Sequence, residues 1–342
     1  MMTRKFATIS AGLLAACTAL AVAPASAQTK LSVVHGSPVK HVVSILGAEP
    51  WMTCVKEKAG KEVDFNYYPA GQISKTPELL RALDSGVADL APVPIGYVSD
   101  EMPLSGVVML PGLGSTSTEI VTAYSKAIRP GGILSKEFEQ LDIVPIWAMA
   151  FPPYQIVSTR GKINSLDDFK GRVVRSAGGA MNLAIQQLGG SPAEIAIGET
   201  YIALERGTAD STISAFASVK PFSLQEIMKS MSSNGAFGTF SNVMAMKKDK
   251  FDALSPETQK VFIDCGIQTE QKFAQTMDAE AKELAKEFAA LGIDIYEFTP
   301  ENLAAINGAL GNVQSDWVKR LSGRGLPAQE TLDGYKTLLG VK

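Results

Sequence analysis

Two stretches of the chain carry the same pattern: ELLRALDSGVADLAPV at residues 78–93 and TYIALERGTADSTIS at residues 200–214. Both read Ala-Leu-acid-x-Gly-x-Ala-Asp, beginning at Ala82 and again at Ala203. A helix that ends on a glycine in the left-handed cap conformation, followed at once by a strand, accounts for this pattern. The repeat therefore indicates two copies of one α/β unit.

The stretches upstream of the two copies also match. LSVVHGSPVKHVVSILGAEP at 31–50 and GRVVRSAGGAMNLAIQQLGG at 171–190 both predict a strand, a turn and a helix, and the short strands VDFNYY (63–68) and AEIAI (193–197) follow them. Each half then reads strand-helix-strand-helix-strand, a small parallel-sheet unit with right-handed crossovers. Two such units predict two similar α/β lobes with a cleft between them.

The remaining segments are predicted to connect the lobes. Residues 143–163 are strand-rich and lead from the first lobe into the second, and NGAFGTFSNVMAMKKD at 234–249 predicts a returning strand. We assign residues 28–150 to lobe 1 and residues 151–246 to lobe 2, with residues 247–290 and the C-terminal helices returning to lobe 1.

A long helix is expected near the end of the chain. Ser255 is a favourable N-cap residue, Pro256 suits the first helical position, and apolar periodicity continues through Ala289 and stops near Gly292. A helix of about 36 residues extends roughly 54 Å, enough to lie across both lobes.

Ligands of open parallel sheets bind beyond the carboxyl ends of the strands. In this chain those ends are residues 35–37, 92–97, 175–177 and 211–218. A binding site is therefore expected where these four segments meet.

The first 27 residues have the features of a secretory signal. Arg4 and Lys5 form a basic segment, an apolar stretch follows, and Ala25-Ser26-Ala27 is a cleavage site of small residues. We expect cleavage after Ala27 and a soluble periplasmic protein. Leu14-Ala15-Ala16-Cys17 also resembles a bacterial lipobox, and a lipoprotein anchored through Cys17 is the alternative.

The composition argues against several classes of protein. The 342 residues are 46% apolar, and the formal charge is −3 without runs of lysine or arginine. This balance argues against nucleic acid or an anionic membrane surface as a partner. Cys54 and Cys265 remain after the signal, and we expect two separate buried thiols, although export permits a disulfide.

The residues that most enzymes and metal sites need are scarce. His35 and His41 are the only histidines, and His41 is expected to be a structural residue of the first helix. The sequence has no GxSxG, HExxH, CxxC or P-loop motif, and its cysteines and histidines do not group as metal ligands. We expect no metal and no cofactor, although carboxylates from distant segments could still converge on a catalytic centre.

VVRSAGG at 173–179 offers a candidate anion site. Arg175 lies near the carboxyl end of the strand, Gly178-Gly179 follows, and the spacing is not the GxGxxG of a dinucleotide fold. A guanidinium binds a carboxylate through two parallel hydrogen bonds, and Ser176 and the glycines could add backbone N–H groups at the start of the helix. The alternative is a structural ion pair of Arg175 with Asp168.

Five motifs in order resemble those of a known family. They are YPAGQIS (68–74), the helix that leads to Gly86-Val87-Ala88-Asp89, LDDFKGRVVRS (166–176), LGGSPAEIAIGETYIALERGTADS (188–211) and KFDALSPETQKVF (250–262). Over nearly all of the chain after the signal, the sequence resembles the periplasmic substrate-binding proteins of tripartite ATP-independent (TRAP) transporters. The resemblance implies an α/β, two-lobed periplasmic binding protein fold, with a mixed, mainly parallel sheet in each lobe and a long lobe-spanning C-terminal helix.

The same resemblance implies a function. The chain would be an extracytoplasmic receptor that captures a small organic acid and delivers it to the membrane permease subunits of a TRAP transporter. Arg175 matches the arginine that holds the ligand carboxylate in this family, and closure of the lobes would bury the ligand. No enzymatic activity is expected.

Several matched positions differ from those of the acid-sugar binders in the family. Gln155 stands where many of them have a second arginine, Ser214 replaces an asparagine, and Pro94 replaces an acid. The pocket is therefore expected to be less polar than one for a sugar acid. The candidate substrate-binding residues are Arg175, Gln155, Tyr154, Ser214, Phe216, His35, Tyr97, Gln72, Ile197 and Trp147.

We expect the ligand to be a 2-oxo acid or an apolar or aromatic monocarboxylate. SAFASVKPF, from residue 214, has no acid that could bind a metal ion beside a 2-oxo acid. Lys220 is either a second cation near the site or a surface lysine. Two alternatives stay open: a receptor for an ABC importer or a sensor, and a periplasmic enzyme on a two-lobed scaffold.

Overall fold

The computed structural model describes residues 28–341, so the expected signal, its cleavage after Ala27 and the lipobox at Cys17 lie outside the described residues. The strands are β1 (Thr29–Val34), β2 (Val63–Tyr68), β3 (Leu90–Pro94), β4 (Ile143–Ala150), β5 (Gln155–Ser158), β6 (Val173–Ser176), β7 (Ser191–Glu194), β8 (Ser211–Ser214), β9 (Ser230–Ser232), β10 (Ser241–Lys247) and β11 (Asp294–Tyr296). The helices are α1 (Glu49–Ala59), α2 (Leu79–Asp84), α3 (Ser117–Ile128), α4 (Ser135–Gln140), α5 (Ala180–Gln187), α6 (Thr200–Glu205), α7 (Phe216–Val219), α8 (Lys248–Asp252), α9 (Pro256–Ala290), α10 (Pro300–Ser322) and α11 (Ala328–Leu339). Within these residues, none of the helices combines the length and the apolar character needed to cross a membrane.

The strands form two mixed sheets, one in each lobe. The strand order is β2-β1-β3-β10-β4 in the first sheet and β11-β9-β5-β8-β6-β7 in the second. β1 runs parallel to β2 and β3, and β6 runs parallel to β7 and β8, so both lobes contain the same three-stranded unit. Beside each unit lies an antiparallel strand, β10 in the first lobe and β5 in the second. The expected two-lobed α/β fold with mixed sheets is confirmed.

The sequence repeat marks equivalent joints in the two lobes. In each copy the glycine ends the helix with a φ of +72° or +73°, in the left-handed region. The carboxylate of Asp89 accepts hydrogen bonds from the backbone N–H and Oγ of Ser32 in β1, at 2.8 and 2.9 Å. Asp210 accepts one from the backbone N–H of Val173 in β6 at 3.4 Å. The repeated aspartate therefore ties the third strand of each unit to the first.

The lobe boundaries differ from those expected. The chain crosses between the sheets at residues 151–154 and 233–240, and β10 lies in the first sheet between β3 and β4. The chain has therefore returned to lobe 1 by Ser241, not after residue 246. β11, which follows the long helix, pairs with β9 in the second sheet. Both strands join their sheets through partners distant in sequence, which no local pattern indicates.

The long helix α9 covers 35 residues and lies across both lobes, as expected. Ser255 caps it, because the side-chain oxygen accepts a hydrogen bond from the backbone N–H of Thr258 at 3.2 Å. The helix packs on α1, α3 and β4 of lobe 1 and on α7 and β11 of lobe 2. Near its end, Phe288 stacks on Phe216 of α7 with ring centroids 6.2 Å apart.

The last two helices divide between the lobes. α11 packs on α3 of lobe 1, whereas α10 packs on α5 of lobe 2. Gln187 of α5 donates a hydrogen bond from Nε2 to Asp316 of α10 at 2.7 Å. The assignment of all C-terminal helices to lobe 1 is therefore wrong for α10.

Cys54 of α1 and Cys265 of α9 form a disulfide, with their Cα atoms 5.9 Å apart. The expectation of two separate thiols is wrong. Because α1 packs along α9, it brings together two cysteines that are 211 residues apart in sequence. The bond fixes the long helix to lobe 1.

Candidate functional site

A cavity lies between the two lobes at the carboxyl ends of the parallel strands. Its empty space is about 460 Å³, a volume that includes space open to solvent. Each of the four strand-end segments expected from the sequence contributes to its wall. The lining residues are Ser37, His41, Val43, Thr76, Tyr97, Phe151, Tyr154, Arg175, Ala177, Ile197, Ser214, Ser218, Phe222, Phe240 and Asn242.

Arg175 is the cation of this wall. It lies in β6 with 3% of its surface exposed. Its Nε donates a hydrogen bond to the carbonyl oxygen of Ile195 at 2.8 Å, and its Nη2 donates one to the hydroxyl oxygen of Tyr97 at 2.6 Å. A guanidinium has five N–H donors, so within residues 28–341 three of them remain for a ligand.

The cavity wall carries one full charge. Its lining, drawn from residues 28–341, includes no aspartate, glutamate or lysine. Burial lowers the pKa of His41 to about 3, so its ring is neutral, and burial raises the pKa of the Tyr154 phenol, which keeps its proton. A buried cation without a counter-charge favours a ligand that brings one negative charge.

Tyr97 brings the two lobes together beside Arg175. It lies in a short 3₁₀ helix, Ile95–Val98, directly after β3. Its hydroxyl oxygen accepts hydrogen bonds from Arg175 and from the backbone N–H of Ile197, the latter at 2.9 Å. Both lone pairs are then occupied, so the hydroxyl proton is available to a ligand. Arg175 and Tyr97 together present hydrogen-bond donors from both lobes to the cavity.

Aromatic rings form much of the remaining wall. They are Tyr97, Phe151, Tyr154, Phe222 and Phe240. The ring centroids of Phe151 and Tyr154 are 5.9 Å apart, and those of Tyr97 and Phe240 are 5.7 Å apart. Such surfaces pack well against a flat ring, since aromatic pairs favour edge-on and offset arrangements at these distances.

His41 and Ser218 face each other across the cavity. Nε2 of His41, on lobe 1, lies 3.3 Å from Oγ of Ser218 in α7 of lobe 2. The sequence indicated a structural role for His41 within a helix. It precedes the first helical turn and lines the cavity instead.

The structure brings five of the ten candidate residues to the cavity: Arg175, Tyr154, Ser214, Tyr97 and Ile197. Gln155 and Phe216 line a separate cavity, which is bordered by the crossing segments and α9. Neighbouring residues of an extended chain point to opposite faces, so Tyr154 and Gln155 cannot both face the cleft. The Gln155 amide instead bonds the backbone of Gly235, with Nε2 donating at 2.7 Å and Oε1 accepting at 2.9 Å.

The other three candidates also lie outside the cavity lining. His35 is buried, and its Nδ1 accepts a hydrogen bond from the backbone N–H of Ser37 at 3.0 Å. Trp147 is fully buried in the hydrophobic core that includes β4. Gln72 is exposed on the turn after β2. These three assignments are corrected, because each side chain is directed to the core or to solvent.

Two alternatives from the sequence concern charged residues: an ion pair of Asp168 with Arg175, and Lys220 as a second cation near the site. The structure shows neither arrangement within residues 28–341. The Asp168 carboxylate accepts hydrogen bonds from the backbone N–H groups of Asn164 and Ser165, both at 2.9 Å, and does not pair with Arg175. Lys220 is exposed and pairs with Glu287 of α9, so it is a surface lysine.

The glycines after Arg175 lie at a close contact between the two lobes. Gly178 has a φ of +93°, and a Cβ added to it would lie 2.9 Å from the carbonyl oxygen of Gly96 in lobe 1. The backbone N–H of Gly178 already donates to Oγ of Ser176, and that of Ala177 to the sulfur of Met181. The two glycines therefore let the lobes approach closely beside the cavity.

Ten lining residues were not among the named candidates. Ser37, Ala177 and Ser218 lie within the expected strand-end segments. The residues outside those segments are His41, Val43, Thr76, Phe151, Phe222, Phe240 and Asn242. Phe151 and Phe240 lie in the two crossing segments, which border the cleft in any two-lobed protein. Their location in the crossing segments could therefore have identified both residues as candidates for the cavity wall. In the described part of the chain, no group of three or more His, Cys, Asp or Glu side chains could hold a metal ion.

A family model matches most of the chain. It describes DctP, the bacterial extracellular solute-binding protein family 7, and covers residues 35–320. A solute-binding protein of Albidiferax ferrireducens is 26% identical over 225 residues, which are 64% of this chain and 64% of that relative. The match therefore spans just under two thirds of the curated relative.

Two solved structures share the fold. A marine-metagenome TRAP solute-binding protein specific for aromatic acid ligands, in complex with 3-hydroxybenzoate, has a TM-score of 0.86 and 22% identity, covering 92% of this chain and 99% of that one. A TRAP solute-binding protein from Rhodoferax ferrireducens T118, in complex with copurified benzoate, has a TM-score of 0.85 and 22% identity, covering 92% and 98%.

These findings confirm the resemblance to TRAP substrate-binding proteins. The family consists of bacterial extracellular solute-binding proteins, which are receptors and not enzymes. With its two lobes, the cavity between them and the family match over residues 35–320, the chain belongs to the bacterial extracellular solute-binding proteins of family 7.

Proposed function

We propose that this protein is a periplasmic receptor that captures aromatic monocarboxylates and delivers them to the permease subunits of a TRAP-type secondary transporter. The observation that carries the proposal is the lining of the interlobe cavity. One buried cation, Arg175, stands in a wall that has no acidic side chain and five aromatic rings.

The carboxylate of the ligand is held by Arg175 and Tyr97. The three remaining N–H donors of the guanidinium and the Tyr97 hydroxyl proton converge from the two lobes. A buried charge is tolerated when it is paired and hydrogen-bonded, and an arginine–carboxylate pair meets both conditions. Because the wall offers one positive charge, a monocarboxylate fits better than a dicarboxylate.

The body of the ligand is proposed to be aromatic. Phe151, Phe222 and Phe240 contribute rings without polar atoms, and Val43 and Ile197 add apolar surface. A sugar acid would need a partner for each of several buried hydroxyls, whereas an aromatic ring needs apolar contact. The aromatic acids held by the two solved structures of this fold support the same choice.

Capture is coupled to closure of the lobes. Contacts that join them around the cavity include Tyr97 with Arg175, His41 with Ser218, and Lys75 with Glu199 at 3.1 Å. A ligand that bridges Arg175 and Tyr97 adds to these contacts, so it favours the closed arrangement by its differential affinity. The signal expected in residues 1–27 is consistent with export of the receptor.

A ligand panel tests the proposal by thermal unfolding. Benzoate and phenylacetate are compared with pyruvate, pyroglutamate, glucuronate and the uncharged benzamide. At a concentration about 100-fold above Kd, a true ligand adds about 2.7 kcal/mol to the free energy of unfolding and raises Tm by roughly 5 °C. We expect such a rise for an aromatic acid and none for benzamide. A larger rise with pyruvate or glucuronate than with any aromatic acid would contradict the proposal.

A further inference from the structure

His41 and Ser218 form a polar pair in an aromatic part of the cavity wall. Each has 4% of its surface exposed, and each lines the cavity. The His41 ring centroid lies 5.3 Å from that of Phe222 and 6.1 Å from that of Phe151. Because the two residues belong to different lobes, closure of the lobes assembles the pair.

The hydrogen bonds define which atom of the pair donates. Nδ1 of His41 accepts a hydrogen bond from the backbone N–H of Val43 at 3.3 Å, so this nitrogen carries no proton. The buried ring is neutral, since burial lowers its pKa to about 3, and its single proton is therefore on Nε2. Nε2–H then donates to Oγ of Ser218 at 3.3 Å.

The hydroxyl proton of Ser218 has no acceptor among residues 28–341. Among these residues, the Ser218 side chain has one hydrogen bond, in which its Oγ accepts from Nε2–H of His41. A buried donor without a partner costs free energy, of about 1–3 kcal/mol. The neighbouring rings of Phe151 and Phe222 offer no oxygen or nitrogen, so the hydroxyl is free to donate towards the interior of the cavity.

This donor and the carboxylate anchor line the same cavity but have different neighbours. Arg175 is bonded to Ile195 and Tyr97, whereas the ring of His41, the partner of Ser218, is packed beside Phe222 and Phe151. A ligand whose carboxylate is held at Arg175 can therefore present another of its atoms to Ser218.

We propose that Ser218, oriented by His41, selects aromatic monocarboxylates that carry an oxygen substituent on the ring, with the Ser218 hydroxyl donating to that oxygen. This inference rests on the proposed function and narrows its ligand class. His41 acts as a positioning residue, because its Nε2–H occupies a lone pair of Oγ and directs the serine proton to the ligand.

The test compares affinities of the purified protein by isothermal titration calorimetry. The probes are benzoate, 3-hydroxybenzoate, 4-hydroxybenzoate and the two corresponding aminobenzoates, whose amino groups are similar in size but accept hydrogen bonds poorly. We expect the better hydroxybenzoate to bind about three- to tenfold more tightly than benzoate and than its amino counterpart, the range for one neutral hydrogen bond. Ser218→Ala should remove this preference and leave the affinity for benzoate within about twofold.

Two further variants make the outcomes distinguishable. Ser105→Ala removes a buried serine outside the cavity and should keep the preference. Arg175→Ala should weaken binding of every probe by about 30-fold or more. If Ser218→Ala retains the preference, or if the wild type has none, the inference about Ser218 is overturned while the proposed function stands. If no aromatic acid binds to the wild type, both are overturned. The Tm of each variant without ligand shows whether it is folded.

Discussion

Arg175 lies in the strand of the second sheet that has parallel neighbours on both sides, β7 and β8. The carboxyl end of such a central strand opens onto the cleft, which is where ligands of α/β sheets bind. Burial of the guanidinium is tolerated because Ile195 and Tyr97 accept two of its hydrogen bonds. The position of Arg175 in the sheet thus supports its proposed role as the carboxylate anchor.

Tyr97→Phe should weaken binding of an aromatic acid about tenfold or more. The change removes the acceptor that orients Arg175 and the donor offered to the ligand, and hydrogen bonds to charged groups contribute about 1.5–3 kcal/mol. Titration calorimetry measures the effect. Tyr68→Phe, at a tyrosine outside the cavity lining, is the matched control and should bind normally. Equal affinities of the Tyr97 variant and the wild type would show that Tyr97 takes no part.

The two buried histidines should make the fold sensitive to acid. Burial lowers the pKa of His35 to about 4 and that of His41 to about 3, from an ordinary value of 6.5. Below about pH 6.5 the unfolded chain binds protons that the folded chain does not. The contribution of each histidine is complete above that pH and falls by about 1.4 kcal/mol per pH unit as the pH decreases towards 4.

Urea unfolding at about pH 7.5 and about pH 5 measures this loss. The double variant His35→Asn with His41→Asn is the reference, because the carboxylates contribute equally to both proteins. The wild type should lose more free energy of unfolding than the variant on acidification. Parallel pH profiles for the two proteins would exclude a role of the histidines.

The sequence does not show which side chains point towards the cavity and which point towards the core. Tyr154 and Gln155 were both expected at the ligand, yet adjacent residues point to opposite sides and Tyr154 alone reaches the cavity. Trp147 lies in a strand that is buried on both faces, so its apolar character does not distinguish core from cavity wall. Motif resemblance located Arg175, whereas His41 had no motif to identify it.

The long helix α9 is attached to lobe 1 by a buried glutamate. Glu270 is buried with 3% of its surface exposed and accepts hydrogen bonds from Arg129, Ser125 and the backbone N–H of Ala148, at 2.8, 2.7 and 2.7 Å. Burial raises the pKa of its carboxyl, and the Arg129 guanidinium partly offsets that effect. One side chain thus fixes the middle of the helix to α3 and β4.

Arg129→Ala should destabilise the fold by about 3–5 kcal/mol, because it leaves a buried carboxylate without its counter-charge. Urea unfolding gives the free energy. Adding Glu270→Gln to this variant removes the unpaired charge and should restore part of the loss. Equal stabilities of the single and double variants would mean that the pair does not anchor the helix.

The disulfide is a second anchor of the same helix. Replacing both Cys54 and Cys265 by serine should lower the free energy of unfolding by about 2–5 kcal/mol, because the unfolded chain loses the constraint of a long closed loop. Reductant should bring the wild type to the same level in the same unfolding assay. A double variant as stable as the oxidised wild type would exclude this contribution.

Elements with local signals were predictable, and elements defined by distant partners were not. The cap at Ser255, the proline at the first helical position and the continuous periodicity predicted α9 nearly to the residue. The repeat predicted the parallel unit of each lobe. β10 and β11, in contrast, join sheets on the far side of a chain crossing, and the disulfide depends on the packing of α1 against α9.

In the whole molecule, few segments join the two similar lobes. Two strand crossings and the long helix connect the sheets, and the turn between α10 and α11 leads from lobe 2 back to lobe 1. The cavity lies where the crossings meet the strand ends. The lobes supply different parts of the site: Tyr97 and His41 come from the first, and Arg175 and Ser218 from the second. A ligand is therefore fully bound when both lobes contact it.

Titration of Arg175→Ala with the aromatic acid that the wild type binds best tests whether Arg175 anchors the ligand carboxylate. Loss of a buried arginine–carboxylate pair costs about 2–5 kcal/mol, so Kd should rise by about 30-fold to several thousandfold. Arg175→Lys keeps the positive charge but lacks the forked geometry of the guanidinium, so its Kd should lie between those of the wild type and Arg175→Ala. Binding by Arg175→Ala as tight as that of the wild type would contradict the assignment of Arg175 as the carboxylate anchor.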